Sequence, residues 1–467
     1  MYSPDSFLVR LYQRAPVPVQ NLFFSLAGLK NYRTRYNAHF FNHLNFLKES
    51  EWWSETKIEE YQSRQLQWVA KHAYQHVPLV KSVFDRAGVT PEQVRSATDL
   101  KALPLMNKNI LRDATVPFHD TSLRNSEKIK VLTSGTSGRA LEVIQTKNTL
   151  AFQWAVWARH KERFGIRLGD KHLTFGARVP IDARQEKPPF WRWNYFGKQM
   201  YLSTFHLSPK HLPAIVDFLQ TTPFDYYTGY PSSMYVVAKY MQEKGIHLKM
   251  RPKYIITGSD ALTPHFESVI RQQFGVPVTE QYGMAEACGN LAKCEFGRFH
   301  VDFEFGILEL LDQEHDPNSC YKRMVFTSLA NSAMPLFRYD IGDLAEVDHM
   351  KCRCGRKSYS VKSIVGRLED YILTPDGRKV TGMNQVFEWA NGIREIQVVQ
   401  HHTRSILVNY IPDHSFSSTD LKKLEIEFRK RIGDDIIINF QKVDIIPRTA
   451  NGKFKAVVSY LKEGGIQ

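Results

Sequence analysis

Five stretches of the sequence carry residues suited to handling phosphates and carboxylates. In Val131-Leu-Thr-Ser-Gly-Thr-Ser-Gly-Arg-Ala-Leu-Glu-Val143, six small or hydroxylated residues stand between two β-rich apolar pieces: Thr133, Ser134, Gly135, Thr136, Ser137 and Gly138. The glycines let the backbone turn where a Cβ would clash, and the hydroxyls add donors beside exposed N–H groups. Such a loop can wrap a polyphosphate. A flexible hairpin turn is the plainer alternative. No Gly-Lys-Ser/Thr closes the loop, so it is not a P-loop. Downstream come Glu280-Gln-Tyr-Gly-Met-Ala-Glu286, Phe337-Arg-Tyr-Asp-Ile-Gly-Asp343, Val365-Gly-Arg-Leu-Glu-Asp370 and Pro447-Arg-Thr-Ala-Asn-Gly-Lys-Phe-Lys455. Taken singly, Asp343 reads as a turn carboxylate, Lys453 as a hairpin-tip lysine and Glu286 as a solvated helix-start residue. Together and in this order, the five are hard to obtain by chance.

A second set of residue types suits a metal. Cys352 and Cys354 flank Arg353, and Cys294 precedes His300 by six positions. Three thiolates and an imidazole satisfy tetrahedral zinc of the structural kind, with no open position for catalysis. Cys288 is an alternative to Cys294. The Cys-x-Cys spacing is tighter than in common zinc motifs, and two unrelated pairs of reduced cysteines with a surface histidine are the bland reading.

These residues need a sizeable scaffold. The chain has 467 residues, 43% of them hydrophobic, enough for a large core and two or more domains. A charged fraction of 24% and abundant aromatics argue against disorder. The formal charge of +14 favours anionic partners: nucleotide phosphates, coenzyme A, a nucleotide-sugar, nucleic acid or an acidic membrane face. Nucleic acid is the weakest of these, since no RNA-binding signature or Lys/Arg block is present. No apolar run reaches membrane-span length, and the N-terminus lacks signal-peptide order, so the sequence reads as cytoplasmic. Five cysteines in such a chain do not suggest a disulfide framework.

The elements that must position the chemistry follow from periodicity. Residues 1–50 are aromatic and basic, either packing over the main domain or touching a membrane or a membrane-bound partner. Leu66, Val69, Ala70 and Ala73 share a helical face that ends at Pro78, and a short helix follows Lys108. Leu212, Ile215, Val216 and Leu219 make one stripe; Met234, Val237, Ala238 and Met241 make another, closed by Gly245. Tyr254–Ile256 reads as a buried strand ending at Gly258, Thr263-Pro264 starts a helix that stops near Gly275, and Val276–Val278 begins a strand. This β-α-β rhythm over residues 150–290 predicts a mostly parallel sheet, with ligands at the strand C-termini. Gly258-Ser259 and Tyr282-Gly283 hold that kind of position. From about residue 370 the pattern becomes a small α+β unit. It has a hairpin over 396–410, a helix capped by Ser418-Thr419 through Ile432, and a strand at 436–438.

With the five motifs in this order, the chain resembles the adenylate-forming superfamily of acyl-CoA synthetases. It looks closest to the phenylacetate–CoA ligase branch and its CapK-like relatives from capsule clusters. Gly229-Tyr-Pro-Ser232 and Cys352-Arg-Cys-Gly-Arg356 resemble that branch in particular. The resemblance implies an α/β and α+β fold: a large N-terminal domain, residues 1–369 with a largely helical lead-in over 1–110, and a small mobile C-terminal domain, residues 370–467. It also implies roles. Thr133 to Gly138 would hold the ATP β- and γ-phosphates, and Gly258, Ser259, Tyr282 and Gly283 the adenine side. Glu286 would help to hold Mg²⁺, Asp343 would accept from the ribose hydroxyls, and Arg367 would stand beside ribose and phosphate. Asp370 would be the hinge, and Lys453 would bridge the substrate carboxylate and α-phosphate. The implied activity is ATP-dependent activation of a carboxylic acid, then transfer to coenzyme A or to an amine or sugar acceptor, with a place in surface-polysaccharide synthesis. Relatives with a zinc site extend the implication to Zn²⁺ at Cys294, His300, Cys352 and Cys354. Two departures stand out. Ala285 replaces the usual hydroxyl, and Asp340 is acidic where a basic or neutral residue is common. Ala285 is the best support for the rival reading, a non-catalytic protein that binds a nucleotide or glycan precursor. A position peripheral to the inner membrane is a further alternative.

Overall fold

In a computed structural model, the structure describes residues 7–133, 141–176, 181–182, 185–313, 317–348, 350–367, 372–375, 379–380, 386, 392–448 and 454–461. The chain divides into two compact units. One comprises residues 1–28, 169–278 and 366–467; the other comprises 29–168 and 279–365.

The first unit is built on parallel strands. Tyr254–Gly258, Tyr226–Gly229, His172–Gly176 and Gln199–Ser203 lie side by side in that order, and Trp191–Asn194 joins the last antiparallel. The predicted stripes form helices Leu212–Thr221 and Pro231–Glu243, and their named apolar residues are buried. Thr263 caps the helix Pro264–Phe274 by accepting from the Phe266 N–H, and Gly275 ends it in the left-handed region at φ 67°. The next strand starts at Val278, not Val276. Three neighbouring parallel strands end in Gly176, Gly229 and Gly258. At Gly229 the backbone has φ 132°, and an added Cβ would run into the Phe175 carbonyl.

The C-terminal part of this unit has a separate core, in which Ile396, Val398, Ile406, Val408, Leu424 and Phe428 are buried. Strands Ile393–His402 and Ser405–Pro412 form the expected antiparallel pair. Ile437–Lys442 and Val457–Ser459 flank them in parallel. The helix Ser418–Ile432 is capped one residue earlier than expected, by Ser417. The Asp420 carboxylate reaches back to the Ser417 N–H in a capping box.

The second unit is helical and antiparallel. It holds the helices Ala38–Ser50, Glu55–His76, Pro78–Ala87 and Lys147–Arg163. Pro78 both follows the predicted stripe and begins the next helix at its first turn. Strands Val278–Gly283, Asn290–Lys293, Phe299–Val301 and Ser360–Val361 pair antiparallel. A meander follows through Gly306–Leu311, Tyr321–Ser328, Tyr339–Glu346 and Ser363–Arg367. The β-α-β reading did not anticipate these hairpins, because it stopped at residue 290. Among the described residues, no helix is long and apolar enough to cross a membrane.

Gly229→Ala should be destabilising by about 2 kcal/mol or more, because both its φ and its space exclude a Cβ. Urea unfolding followed by circular dichroism measures this.

Candidate active site and metal-ligand cluster

Three of the five motifs lie in the second unit, and two of them, 280–286 and 337–343, meet at the end of the strand Val278–Gly283. The Tyr282 hydroxyl donates to Asp343 Oδ2 at 2.5 Å. Tyr339 donates to Glu286 Oε1 at 3.4 Å, and Glu286 and Asp343 are both buried. Burial raises the Tyr282 hydroxyl well above the usual phenol range, and the charges of Asp343 and Glu286 add to it. The same two causes, burial and the Glu286 charge, raise the Cys288 thiol. Tyr282 is therefore a donor, and its hydroxyl feels the charge of both buried carboxylates. Oxygen acceptors concentrated in this way suit a hard divalent cation or a diol.

The backbone around these groups is held from behind. Gln153 donates to the Met284 carbonyl and Gln145 to the Ala285 carbonyl, both at 3.2 Å. At Gly283, a Cβ would come within 2.8 Å of Asn290 Oδ1 and 3.4 Å of the Trp157 ring, so a larger residue would have to displace the Asn290 amide. Asn290 takes a hydrogen bond from Trp157 Nε1 at 3.0 Å and donates to Asp302. Asp302 in turn shares the Arg159 guanidinium with Glu304, at 2.6 and 2.7 Å, with all three side chains buried. Asp340, the acidic departure, is paired with Arg323 and accepts from the Gly342 N–H, so it shapes the turn before Asp343.

At the phosphate-loop motif, strands Ile129–Leu132 and Glu142–Gln145 pair antiparallel. Thr133 ties the base of the loop: its N–H donates to the Leu141 carbonyl and its Oγ1 accepts from the Leu141 N–H, both at 2.9 Å. Ser134, Gly135, Thr136, Ser137 and Gly138 lie outside the described residues, as do Asp370 and Lys453. Arg367 ends the strand Ser363–Arg367. Gly258 and Ser259 belong to the first unit, where Ser259 follows the strand end in the left-handed region at φ 67°. Strain of that kind concentrates at binding sites. The segment holding Lys453 is anchored at both ends within that unit. Arg448 pairs with Glu395 at 2.6 Å, Gln397 donates to the Lys455 carbonyl at 2.8 Å, and Arg448 and Phe454 help line a cavity with Ser232, Tyr235 and His265.

Cys294, His300, Cys352 and Cys354 come together, with their ligand atoms all within 4.8 Å of one another. Cys294 and Cys352 sulfurs are 3.5 Å apart, and Cys354 Sγ is 3.2 Å from His300 Nε2. Edges of a tetrahedral site with metal–sulfur bonds of about 2.3 Å would measure roughly 3.8 Å, so the donors fit. Cys288 is not among them; its sulfur contacts Met284. His300 Nδ1 faces the Ser358 carbonyl at 3.1 Å, which leaves Nε2 turned to the thiols. Burial lowers the His300 pKa to about 4, so the imidazole is neutral, the ligating form. Burial pushes the Cys352 thiol up to about 12. For Cys354 burial also pushes upward, but hydrogen bonds from Arg356 bring the thiol below its usual value. Tyr339 stands inside one of the five motifs but was given no role there; Ser358, Asp302 and Glu304 were not found from the sequence, which offers only isolated polar residues at those positions.

With this geometry in view, the chain can be compared with known proteins. The CapK C-terminal domain family matches residues 372–460. A solved 2-hydroxyisobutyryl-CoA ligase in complex with R3-HIB-AMP is 18% identical with a TM-score of 0.67, covering 88% of this chain and 91% of that one. The fold is that of an adenylate-forming CoA ligase. Protein CapK of Staphylococcus aureus is 23% identical over 97% of this chain and 99% of its own length. A phenylacetate-coenzyme A ligase of Thermus thermophilus is 26% identical over 68% of this chain and 72% of its own. The resemblance read from the motifs is thus borne out, as is the fold class.

Replacing Arg159 with Met leaves Asp302 and Glu304 as buried, uncompensated carboxylates. The variant should lose about 3–5 kcal/mol of stability. Chemical denaturation of Arg159→Met against the parent protein measures the loss.

Proposed function

We propose that the protein activates a carboxylic acid with MgATP and passes the acyl group to coenzyme A. In the first step a carboxylate oxygen attacks the α-phosphate, the bond to the β-phosphate breaks, and acyl-AMP and pyrophosphate form. In the second, the thiol attacks the acyl carbonyl, forming the thioester and expelling AMP, while the thiol proton passes to solvent. What carries this reading is the buried Tyr282–Asp343 hydrogen bond beside Glu286, because two adjoining acceptor groups suit a ribose diol and a magnesium ion. The Tyr282 ring would wall the adenine together with Gly258, Ser259 and Gly283. Thr133 to Gly138 would wrap the terminal phosphates, and Arg367 would stand beside ribose and phosphate. Residues 370–467 would act as the mobile domain, turning at Asp370 to deliver Lys453 to the oxygens shared by carboxylate and α-phosphate. The phenylacetate-coenzyme A ligases among the relatives support coenzyme A as acceptor. An amine or a sugar is the variant reading that the similarity to CapK favours, with a role in capsule or surface-polysaccharide synthesis. Work peripheral to a membrane is compatible with either acceptor.

A structural Zn²⁺ on Cys294, His300, Cys352 and Cys354 goes with this proposal. It would pin the turn after Asn290–Lys293 to the loop before Ser360–Val361. Four protein ligands leave it no catalytic position.

Lys453→Ala should lower acid-dependent pyrophosphate release by on the order of 10²–10³ while ATP still binds, since one positioned donor to the developing charge is removed. The assay is run across aryl acetates, amino acids and uronic acids, and near-normal turnover of the variant would refute the role of this lysine. Elemental analysis of protein purified without a metal-affinity tag should find close to one zinc per chain. Cys352→Ser should lose the ion and melt earlier, and absence of zinc from the parent protein removes the site.

A further inference from the structure

We propose that the exposed face of the helix Val17–Arg35 seats the protein on an anionic lipid bilayer. This does not depend on the ligase reading. Val19, Leu22, Phe23 and Leu26 are all exposed, Leu22 and Phe23 by 56% and 57%. At about 100° per residue they occupy an arc of roughly 100°, and the same period carries Lys30 and Arg33 along that face. Both cations are exposed. Leu11 and Arg14, also exposed, belong to the preceding helix Phe7–Arg14.

Between Gln20 and Ser25 the opposite face of the helix is fixed to the first unit. Asn21 accepts from the Trp193 N–H at 2.9 Å, Ser25 donates to the Trp193 carbonyl at 3.2 Å, and the Tyr195 N–H reaches Ser25 Oγ at 3.0 Å. Gln20 accepts from Arg192 Nε at 2.5 Å, and the Phe24 ring meets Tyr201 edge-on at 5.2 Å. The apolar ridge is therefore the outer side of a bound element. The turn beside it, held through Tyr195, adds exposed Tyr195 and Phe196.

Charge decides what covers the ridge. Between residues 6 and 48 there is no Asp or Glu, while Arg10, Arg14, Lys30, Arg33, Arg35 and Lys48 are all basic. Aliphatic and aromatic side chains flanked by lysine and arginine match the boundary between acyl chains and anionic headgroups. A second copy of the chain would bring the same cations to the contact, and the overall charge of +14 opposes that pairing.

The test is co-sedimentation of the full chain with vesicles of phosphatidylcholine, alone or mixed with phosphatidylglycerol. Binding should require phosphatidylglycerol and weaken with salt. The triple variant Leu22→Ser, Phe23→Ser, Leu26→Ser should bind at least ~10-fold less with an unchanged melting temperature, as should Lys30→Glu with Arg33→Glu. The proposal is overturned if the parent protein ignores phosphatidylglycerol vesicles or binds phosphatidylcholine equally well, or if the triple variant binds as the parent does. It is also overturned if sedimentation velocity shows a dimer that the triple variant dissolves, because the ridge would then be covered by a second copy.

Discussion

The second unit depends on one buried guanidinium. Arg159 donates to Asp302, to Glu304 and to the Leu47 carbonyl, at 2.6 to 2.8 Å. Burial works against its charge, but the two carboxylates more than offset that and raise its pKa further. None of the three charged groups is tolerable there without the others. That mutual need joins the helices Ala38–Ser50 and Lys147–Arg163 to the chain segment leaving Phe299–Val301. Ser50 donates to Glu304 as well, so the helix end and the acid are fixed together.

The consequences reach the candidate active site through hydrogen bonds of known direction. Asp302 orients Asn290, Asn290 and Trp157 close over Gly283, and Gly283 follows Tyr282 in the same strand. The phenol is thereby aimed at Asp343. A second set of ions stands behind the cysteine cluster. Arg356 holds Glu51 and Glu295, and Arg163 also reaches Glu51. The turns of the cysteine–histidine cluster and the strands holding Tyr282 and Asp343 thus belong to one packed unit, in which the four cysteine and histidine side chains converge from residues up to sixty positions apart.

Much of this was legible in advance where local chemistry dominates. The stripes at 212–219 and 234–241 became buried helix faces because a 3.6-residue period survives any tertiary context that covers one side. Thr263-Pro264 and Gly275 marked a helix because capping and left-handed backbone are local demands. Cys294, His300, Cys352 and Cys354 were legible as a candidate donor set from their residue types, but only the structure separated Cys294 from Cys288 and brought the four together. The antiparallel hairpins after residue 290 were less so, for short strands such as Phe299–Val301 carry too few residues to show alternation. The cap at Ser417 was misread by one position because three consecutive hydroxylated residues compete for it.

By itself, then, the sequence determined the element types, the motif order and the residue types that could meet ATP, acid and metal, because these are properties of short segments and of side-chain chemistry. Tertiary structure alone decided that Tyr282 donates to Asp343 and that Tyr339 reaches Glu286. It also decided that Asp340 is consumed by Arg323, and that Val19, Leu22, Phe23 and Leu26 stay uncovered. Those outcomes depend on which distant segments come within a few ångströms, and on which charges must be buried together. No local pattern encodes that.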